Sequence, residues 1–213
     1  MPDRDVVSLT DAHAGSQDSP MFYTWFDTPG SRILLAGDSD TLQFLLFESG
    51  KHFQQRGIPD SWKSNHRPFV ECVRQLNEYF AGERTEFDLP LRLNGTGFQR
   101  RVWTELTRIP CGETISYAQL ASRVGQPGAF RAVGSANGKN PISIIVPCHR
   151  VIGSNGRLAG YGGGLTNKVE LLRLEGLHID DSSDLEKAVV SRDATRTLSS
   201  SVSISSSQVS SDC

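Results

Sequence analysis

Apolar positions recur along this chain with two different periods, and each change of period marks a new element. "SRILLAG" (31–37) and "TLQFLLFE" (41–48) are short apolar runs separated by Gly37-Asp38, the pattern of two strands joined by a turn. After Pro68, residues Phe69, Val73, Leu76 and Phe80 fall three and four apart and Gly82 follows them, which predicts a helix with that stripe facing inward. "FDLPLRL" (87–93) returns to alternation. Pro90 cannot donate to a ladder, so an edge strand is expected there. Together these elements predict a small α/β unit over residues 21–94 whose role is architectural.

"NGTG" (94–97) is the expected boundary. Beyond it Phe98, Val102 and Leu106 share one helical stripe, which Pro110 and Gly112 stop. Ser116 is placed to cap a short helix bearing Leu120 and Val124. Gly125 to Gly128 make a tight turn, and a second helix is expected over about 129–137. Helix, glycine turn, helix is the helix-turn-helix pattern, although many helical hairpins bind nothing.

The second helix is built from small residues: Ala129, Ala132, Gly134, Ser135, Ala136. Glycine costs a helix about 1 kcal/mol relative to alanine. Either a neighbouring helix packs tightly there or the backbone approaches a ligand surface. A last helix, "TNKVELLRLEG", should bury Val169 and Leu172 and close at Gly176. Glu175 then lies in a final turn, where the helix dipole disfavours a carboxylate by a few tenths to about 1 kcal/mol.

Composition alters this picture at the ends. Residues 1–20 hold four aspartates and no apolar signal core, as in a flexible leader. Residues 179–213 end in "LSSSVSISSSQVSSDC", a serine bias expected of a disordered tail, with Cys213 an incidental thiol. At 37% hydrophobic and 22% charged the chain reads as globular. No apolar run approaches the roughly 20 residues of a membrane span. Cys72, Cys111, Cys148 and Cys213 form no CxxC pairs, which argues against a disulfide framework and a zinc cage and suits a reducing compartment.

Charge is uneven. Residues 1–94 carry 9 Lys/Arg against 14 Asp/Glu, residues 95–176 carry 10 against 4, and residues 177–213 carry 3 against 6. A basic block within an acidic chain suggests a polyanion-binding face, with a solvated basic surface as the plainer reading.

The chemistry concentrates in "ISIIVPCHRVIGSNGRLAGYGGG" (142–164). A free thiol of pKa about 8.5 is only a few per cent thiolate at neutral pH, so a nucleophilic cysteine needs a base or a positive field. His149 and Arg150 supply both types of group, provided a turn beginning at Pro147 brings them to one side. Tyr161 offers a stacking wall amid glycines that allow close backbone approach, and the Asn140 amide can pin the turn. The competing reading of Cys148 is a small, inert core side chain.

"IPCGETISYAQLA", "RAVGSANGKNPISIIVPCHRVIGSNG" and "GYGGGL…K…LL…EG" together resemble the O6-alkylguanine-DNA alkyltransferase family, over roughly residues 95–176. The resemblance implies an α+β fold. A small N-terminal α/β domain, ribonuclease H-like, would precede a mostly helical, winged-helix-like domain (95–178) holding the helix-turn-helix. It also implies single-turnover transfer of an alkyl group from O6-alkylguanine, and as a further substrate O4-alkylthymine, in double-stranded DNA.

In that likeness Cys148 is the alkyl acceptor and His149 the base that draws its proton through a water. Glu175 orients the imidazole, Asn140 braces the turn, and Tyr117 polarises the departing guanine. Arg131 fills the vacated stack. Tyr161, Val151 and Gly162 line the base pocket, Gln126 and Ser154 meet phosphates, and Ala129 lies against DNA. No cofactor and no metal are implied, because the zinc ligands of some relatives have no counterpart. Gly162 departs from relatives with a serine that holds the guanine oxygen. A cytoplasmic, nucleoid-associated monomer is expected, with clustering on DNA left open. Two rivals stand beside this reading: a non-catalytic lesion sensor or transcription regulator, and a Cys148–His149 hydrolase.

Overall fold

The computed structural model describes residues 19–180, 184–185 and 187–192. Strand β1 (Phe22–Thr28) pairs antiparallel with β2 (Ser31–Gly37), which pairs antiparallel with β3 (Leu42–Phe47). A short helix α1 (Lys51–Arg56) follows, then β4 (Lys63–Ser64) runs parallel to β1 and completes the order β3-β2-β1-β4. Ile33, Leu34, Leu35 and Ala36 are all fully buried. The central strand is therefore covered on both faces, which explains its unbroken apolar run.

Helix α2 (Val70–Phe80) forms after a tight 3-10 turn at Arg67–Phe69. Its buried stripe is Cys72, Gln75, Leu76 and Tyr79, continuing from Phe69, while Val73 and Phe80 are only partly covered. Both stripes satisfy three- and four-residue spacing, so periodicity alone placed the face about one residue off. The expected edge strand at 87–93 makes a single bridge, Leu42 with Leu91. Leu42 N–H donates to the Pro90 carbonyl and Arg92 N–H to the Leu42 carbonyl, while Phe87, Leu89, Leu91 and Leu93 alternate inward. The pattern is a strand's, but pairing reaches one residue only.

Helix α3 (Gly97–Thr107) starts at a reciprocal cap: Gln99 N–H donates to Thr96 Oγ1 and the Gln99 side chain accepts from Thr96 N–H. Strand β5 (Ile115–Ser116) leads into α4 (Tyr117–Arg123), capped in the same way by Ser116 and Gln119. Each such cap contributes about 1 kcal/mol. After the glycine turn comes α5 (Phe130–Gly138), so the helix-turn-helix forms. β6 (Val151–Ile152) pairs parallel with β5 and α6 (Leu165–Leu174) closes the unit.

Beyond α6, β7 (Leu177–Ile179) pairs antiparallel with β8 (Val190–Arg192), and the Ala188 carbonyl accepts from Leu158 N–H. Residues 187–192, assigned by composition to the disordered tail, are instead an ordered strand and its approach. Ala188 and Ile179 give that segment buried apolar contacts, which serine content alone does not register. The expected leader up to residue 18, and residues 193–213 of the tail, lie outside the described residues. One hydrophobic cluster runs from Phe26 of β1 to Leu171 of α6 and contains Cys148.

Candidate active site around Cys148

The turn carrying Cys148 is held from outside itself. Leu45 of β3 donates its N–H to the Pro141 carbonyl and accepts from Ser143 N–H, extending the N-terminal sheet by one bridge at Ile142. Asn140 Oδ1 accepts from Ile142 N–H at 3.0 Å, and its Nδ2 reaches the Ile142 carbonyl at 3.2 Å, the Val146 carbonyl at 2.7 Å and Cys148 Sγ at 2.9 Å. Inside this frame the buried Ile144 takes φ 69°, a left-handed conformation that a β-branched residue adopts only when over-determined. Pro147 (φ −81°, ψ 63°) forms a three-residue turn in which Cys148 N–H donates to the Val146 carbonyl. A single 3-10 turn, Cys148–Arg150, then points His149 and Arg150 into the interior.

Glu175, the C-cap of α6, is where these side chains converge. His149 Nε2 lies 2.8 Å from its Oε1; Arg150 donates from Nε to Oε2 at 3.0 Å and from Nη2 to Oε1 at 2.8 Å. The Tyr79 hydroxyl donates to Oε1 at 2.8 Å, and Gly112 N–H approaches Oε2 at 3.4 Å. Burial alone would raise this carboxyl, but His149 and Arg150 hold it far below the usual carboxylate range. An ionised carboxylate only accepts, so His149 Nε2 carries the proton and donates. Nδ1 therefore presents its lone pair, and no protein atom bonds to it. Burial lowers the imidazole's affinity for a second proton, against the pull of Glu175. His149 therefore rests neutral, with one ring nitrogen able to accept a proton.

Burial raises the Cys148 thiol, opposed by the Asn140 hydrogen bond and by the charge of Lys168. The resting sulfur is a thiol, 4% exposed, and needs a base to ionise. Lys168 is fully buried on α6; its Nζ donates to the Val151 carbonyl at 2.6 Å and the Ala159 carbonyl at 3.2 Å. Burial lowers it to about 8. Tyr117, at the start of α4, is raised to about 12 by burial and by its proximity to Cys148. Tyr161 meets Phe47 edge-on at 6.5 Å and buries its hydroxyl, which has no well-formed hydrogen bond.

The sequence-predicted residues thus separate into two sets. Asn140, Tyr117 and Tyr161 gather around the Cys148 sulfur, His149 follows it in the chain and pairs with Glu175, and the buried Val151 is bonded to Lys168. Gln126, Arg131 and Ser154 are exposed and Ala129 is half-buried, all outside that cluster. Phe130 is 49% exposed beside Arg131, whose guanidinium lies 5.9 Å from its ring centroid.

Gly162 is accounted for by the N-terminal unit. A Cβ there would meet His52 of α1 at 2.8 Å and the Gly138 carbonyl at 3.0 Å. His52 contacts that same carbonyl, and Lys51 N–H donates to the Gly162 carbonyl at 2.9 Å. A serine has no room.

Sequence reasoning missed Tyr79, Lys168, Arg150 as a Glu175 ligand, and Asn137, whose Nδ2 reaches the Cys148 carbonyl at 3.3 Å. It also cast the N-terminal unit as architecture alone, whereas β3, α1 and α2 each bond to the site. Lys168 and Asn137 lie on inward helical faces, a signal that was readable because such residues are seldom buried without a task. Among the described residues no group of three or more His, Cys, Asp or Glu could hold a metal ion.

A family model for 6-O-methylguanine DNA methyltransferase, DNA binding domain, matches residues 97–177, and one for 6-O-methylguanine DNA methyltransferase, ribonuclease-like domain, matches residues 21–93. The methylated-DNA–protein-cysteine methyltransferase of Methanosarcina acetivorans is 52% identical over 156 residues, spanning 73% of this chain and 99% of that one. Its namesake from Mycolicibacterium paratuberculosis is 51% identical over 156 residues, 73% and 93% of the two chains. The crystal structure of Mycobacterium tuberculosis OGT in complex with DNA is similar at TM-score 0.67 and 50% identity, covering 72% of this chain and 92% of that one.

Proposed function

The chain belongs to the 6-O-methylguanine DNA methyltransferase family, and from that premise we propose that Cys148 is the atom that receives the alkyl group. The activity is DNA repair by alkyl transfer to a cysteine, and DNA is the partner. The observation that carries the assignment is the constellation at one sulfur: Asn140 Nδ2 at 2.9 Å, and in the next position an imidazole oriented by a carboxylate with its other nitrogen unpaired. Cys72 is the contrasting case, a buried thiol raised to about 12 by its apolar surroundings and the charge of Glu71.

The substrate in this reading is O6-alkylguanine in a duplex, with O4-alkylthymine a second one. A carbon inside the stack is beyond the reach of sulfur, so the nucleotide is rotated outward at a few kcal/mol. Arg131 enters the gap from the minor-groove side, as inserted side chains do elsewhere. Ala132 and Ser135 are exposed on α5, so packing against a neighbouring helix does not account for their small size; close approach to a groove does. Gln126, Ser154 and Ala129 lie on the DNA side, and binding is phosphate-driven, sequence-tolerant and salt-sensitive.

With the base seated against Tyr161 and the Val151 main chain, the thiol proton passes to His149 Nδ1, through a water, and Glu175 steadies the imidazolium. Sγ attacks the alkyl carbon in line, the carbon–O6 bond breaks, and its electron pair leaves on the guanine. Tyr117, held protonated, delivers a proton to the departing base and is reprotonated from His149. The product is a thioether with no good leaving group, so each chain reacts once. The protein works as a cytoplasmic, nucleoid-associated monomer in this reading. No helix of the described residues is long and apolar enough to cross a membrane.

Labelled-methyl transfer from an O6-methylguanine duplex tests the reading. Incorporation should saturate at one group per chain, and Cys148→Ala should incorporate none while still binding DNA. Continued turnover, or undiminished transfer by the variant, overturns it.

A further inference from the structure

Resting on the assignment of Cys148, His149 and Glu175 above, we propose that Tyr79 of the N-terminal unit is a positioning residue for the alkyl transfer. Its hydroxyl donates to Glu175 and sets both the orientation of that carboxylate and the basicity of His149. The bond spans two halves of the chain, 96 residues apart in sequence, at 2.8 Å. Tyr79 is 2% exposed and the Glu175 side chain is fully buried, so no solvent competes for either partner.

Packing does not require the hydroxyl. The Tyr79 ring sits 5.4 Å from Phe80 and 5.5 Å from Phe87, contacts that a phenylalanine would keep. A buried hydroxyl loses its water and is tolerated only with a partner. Here that partner is the oxygen that also receives His149 Nε2. A further donor on Oε1, beside His149 Nε2 and the Arg150 guanidinium, fixes the carboxylate plane and draws charge away from the imidazole.

The direction of the effect follows from the groups that face the pair. Arg150 from the Cys148 turn, Lys168 from α6, Tyr161 from the glycine loop before α6, Gly112 from the loop after α3 and Tyr79 from α2 face His149 and Glu175, with Cys111 beside Tyr79 and Arg150. Removing the phenol leaves the Glu175 carboxylate less satisfied and more basic. It then stabilises imidazolium more strongly, and His149 takes up its disabling proton at higher pH.

The test is single-turnover methyl transfer by the full chain, followed between about pH 5 and 8, where histidines titrate. The wild type, Tyr79→Phe, and a chain with a fluorotyrosine at position 79 are compared, with melting temperature and DNA affinity measured alongside. Tyr79→Phe should slow transfer at neutral pH about fivefold, the worth of one hydrogen bond, and raise the acid-limb midpoint by roughly half a unit. The fluorotyrosine, a stronger donor of nearly the same shape, should lower that midpoint. Midpoints equal in all three overturn the proposal, whatever happens to the melting temperature. If Tyr79→Phe does not fold, the fluorotyrosine chain decides by the same criterion. A wild-type chain that transfers nothing overturns the acceptor assignment itself.

Discussion

The Asn140 side-chain amide donates to Cys148 Sγ at 2.9 Å and to the Val146 carbonyl at 2.7 Å, so one residue both builds the turn and touches the sulfur it carries. Asn140→Ala leaves the Val146 carbonyl and Ile142 N–H buried without their side-chain partner, and the strained Ile144 loses its brace. The expected loss of stability is about 1–3 kcal/mol, with transfer slowed at least tenfold. Asn140→Asp should hold Ile142 N–H yet place negative charge against the thiolate. It should recover part of the stability and none of the rate. Chemical denaturation and single-turnover transfer separate the two.

Stability should fall on the acid side. The folded protein holds Glu175 far below its ordinary value of 4.5 and His149 below 6.5. In both cases the unfolded chain binds more protons as pH drops, so stability rises with pH through each window. The full contribution is present above about 6.5. The His149 share is lost as pH falls below that, and the Glu175 share below its unfolded value. Melting temperature against pH should therefore decline from near neutrality downward, and Glu175→Gln should flatten the lower part of the decline.

Lys168 is a buried cation whose charge favours the Cys148 thiolate. Lys168→Met removes a charge that favours thiolate, so the midpoint for Cys148 alkylation by a small haloacetamide should move to higher pH, and methyl transfer should slow several-fold. In the wild type the burial-lowered ammonium, at about 8 against 10.5, means the unfolded chain holds the extra proton between these values. Stability from this group therefore rises with pH across that window. The variant should lack that rise.

Gly162 and His52 occupy each other's space. Gly162→Ser should destabilise by about 1–2 kcal/mol through overpacking, because the new Cβ falls 2.8 Å from the His52 ring. In an His52→Ala background the same change should cost less, leaving contact with the Gly138 carbonyl as the residue of the penalty. A double-mutant cycle by thermal unfolding measures the coupling, and additive effects would refute it.

Much of this was legible in the sequence. β2 showed because both faces are covered and its apolar run is unbroken, and β3 because Gln43 is the one polar residue in an otherwise apolar segment. β1 did not, because "FYTWFDT" mixes partly exposed aromatics with polar residues and buries only Phe26. α1 is six residues long and buries none. At the site, the thiol and imidazole stand in one motif, and Glu175 betrayed itself by sitting at the wrong end of the helix dipole. Tyr79 was hidden because its role exists only once α2 packs against the α6 terminus, a contact between distant segments that no local pattern encodes. Lys168 was legible in part: it stands one turn before the inward Leu172 on the same helical face, and its complete burial gives it a task.

The most direct measurement is peptide mass spectrometry after incubating the protein with a duplex carrying O6-methylguanine. The account predicts one added methyl group, confined to the peptide containing Cys148 and absent with undamaged duplex. An unmodified Cys148 peptide alongside demethylated DNA, or the methyl on Cys72 or Cys111, would contradict it.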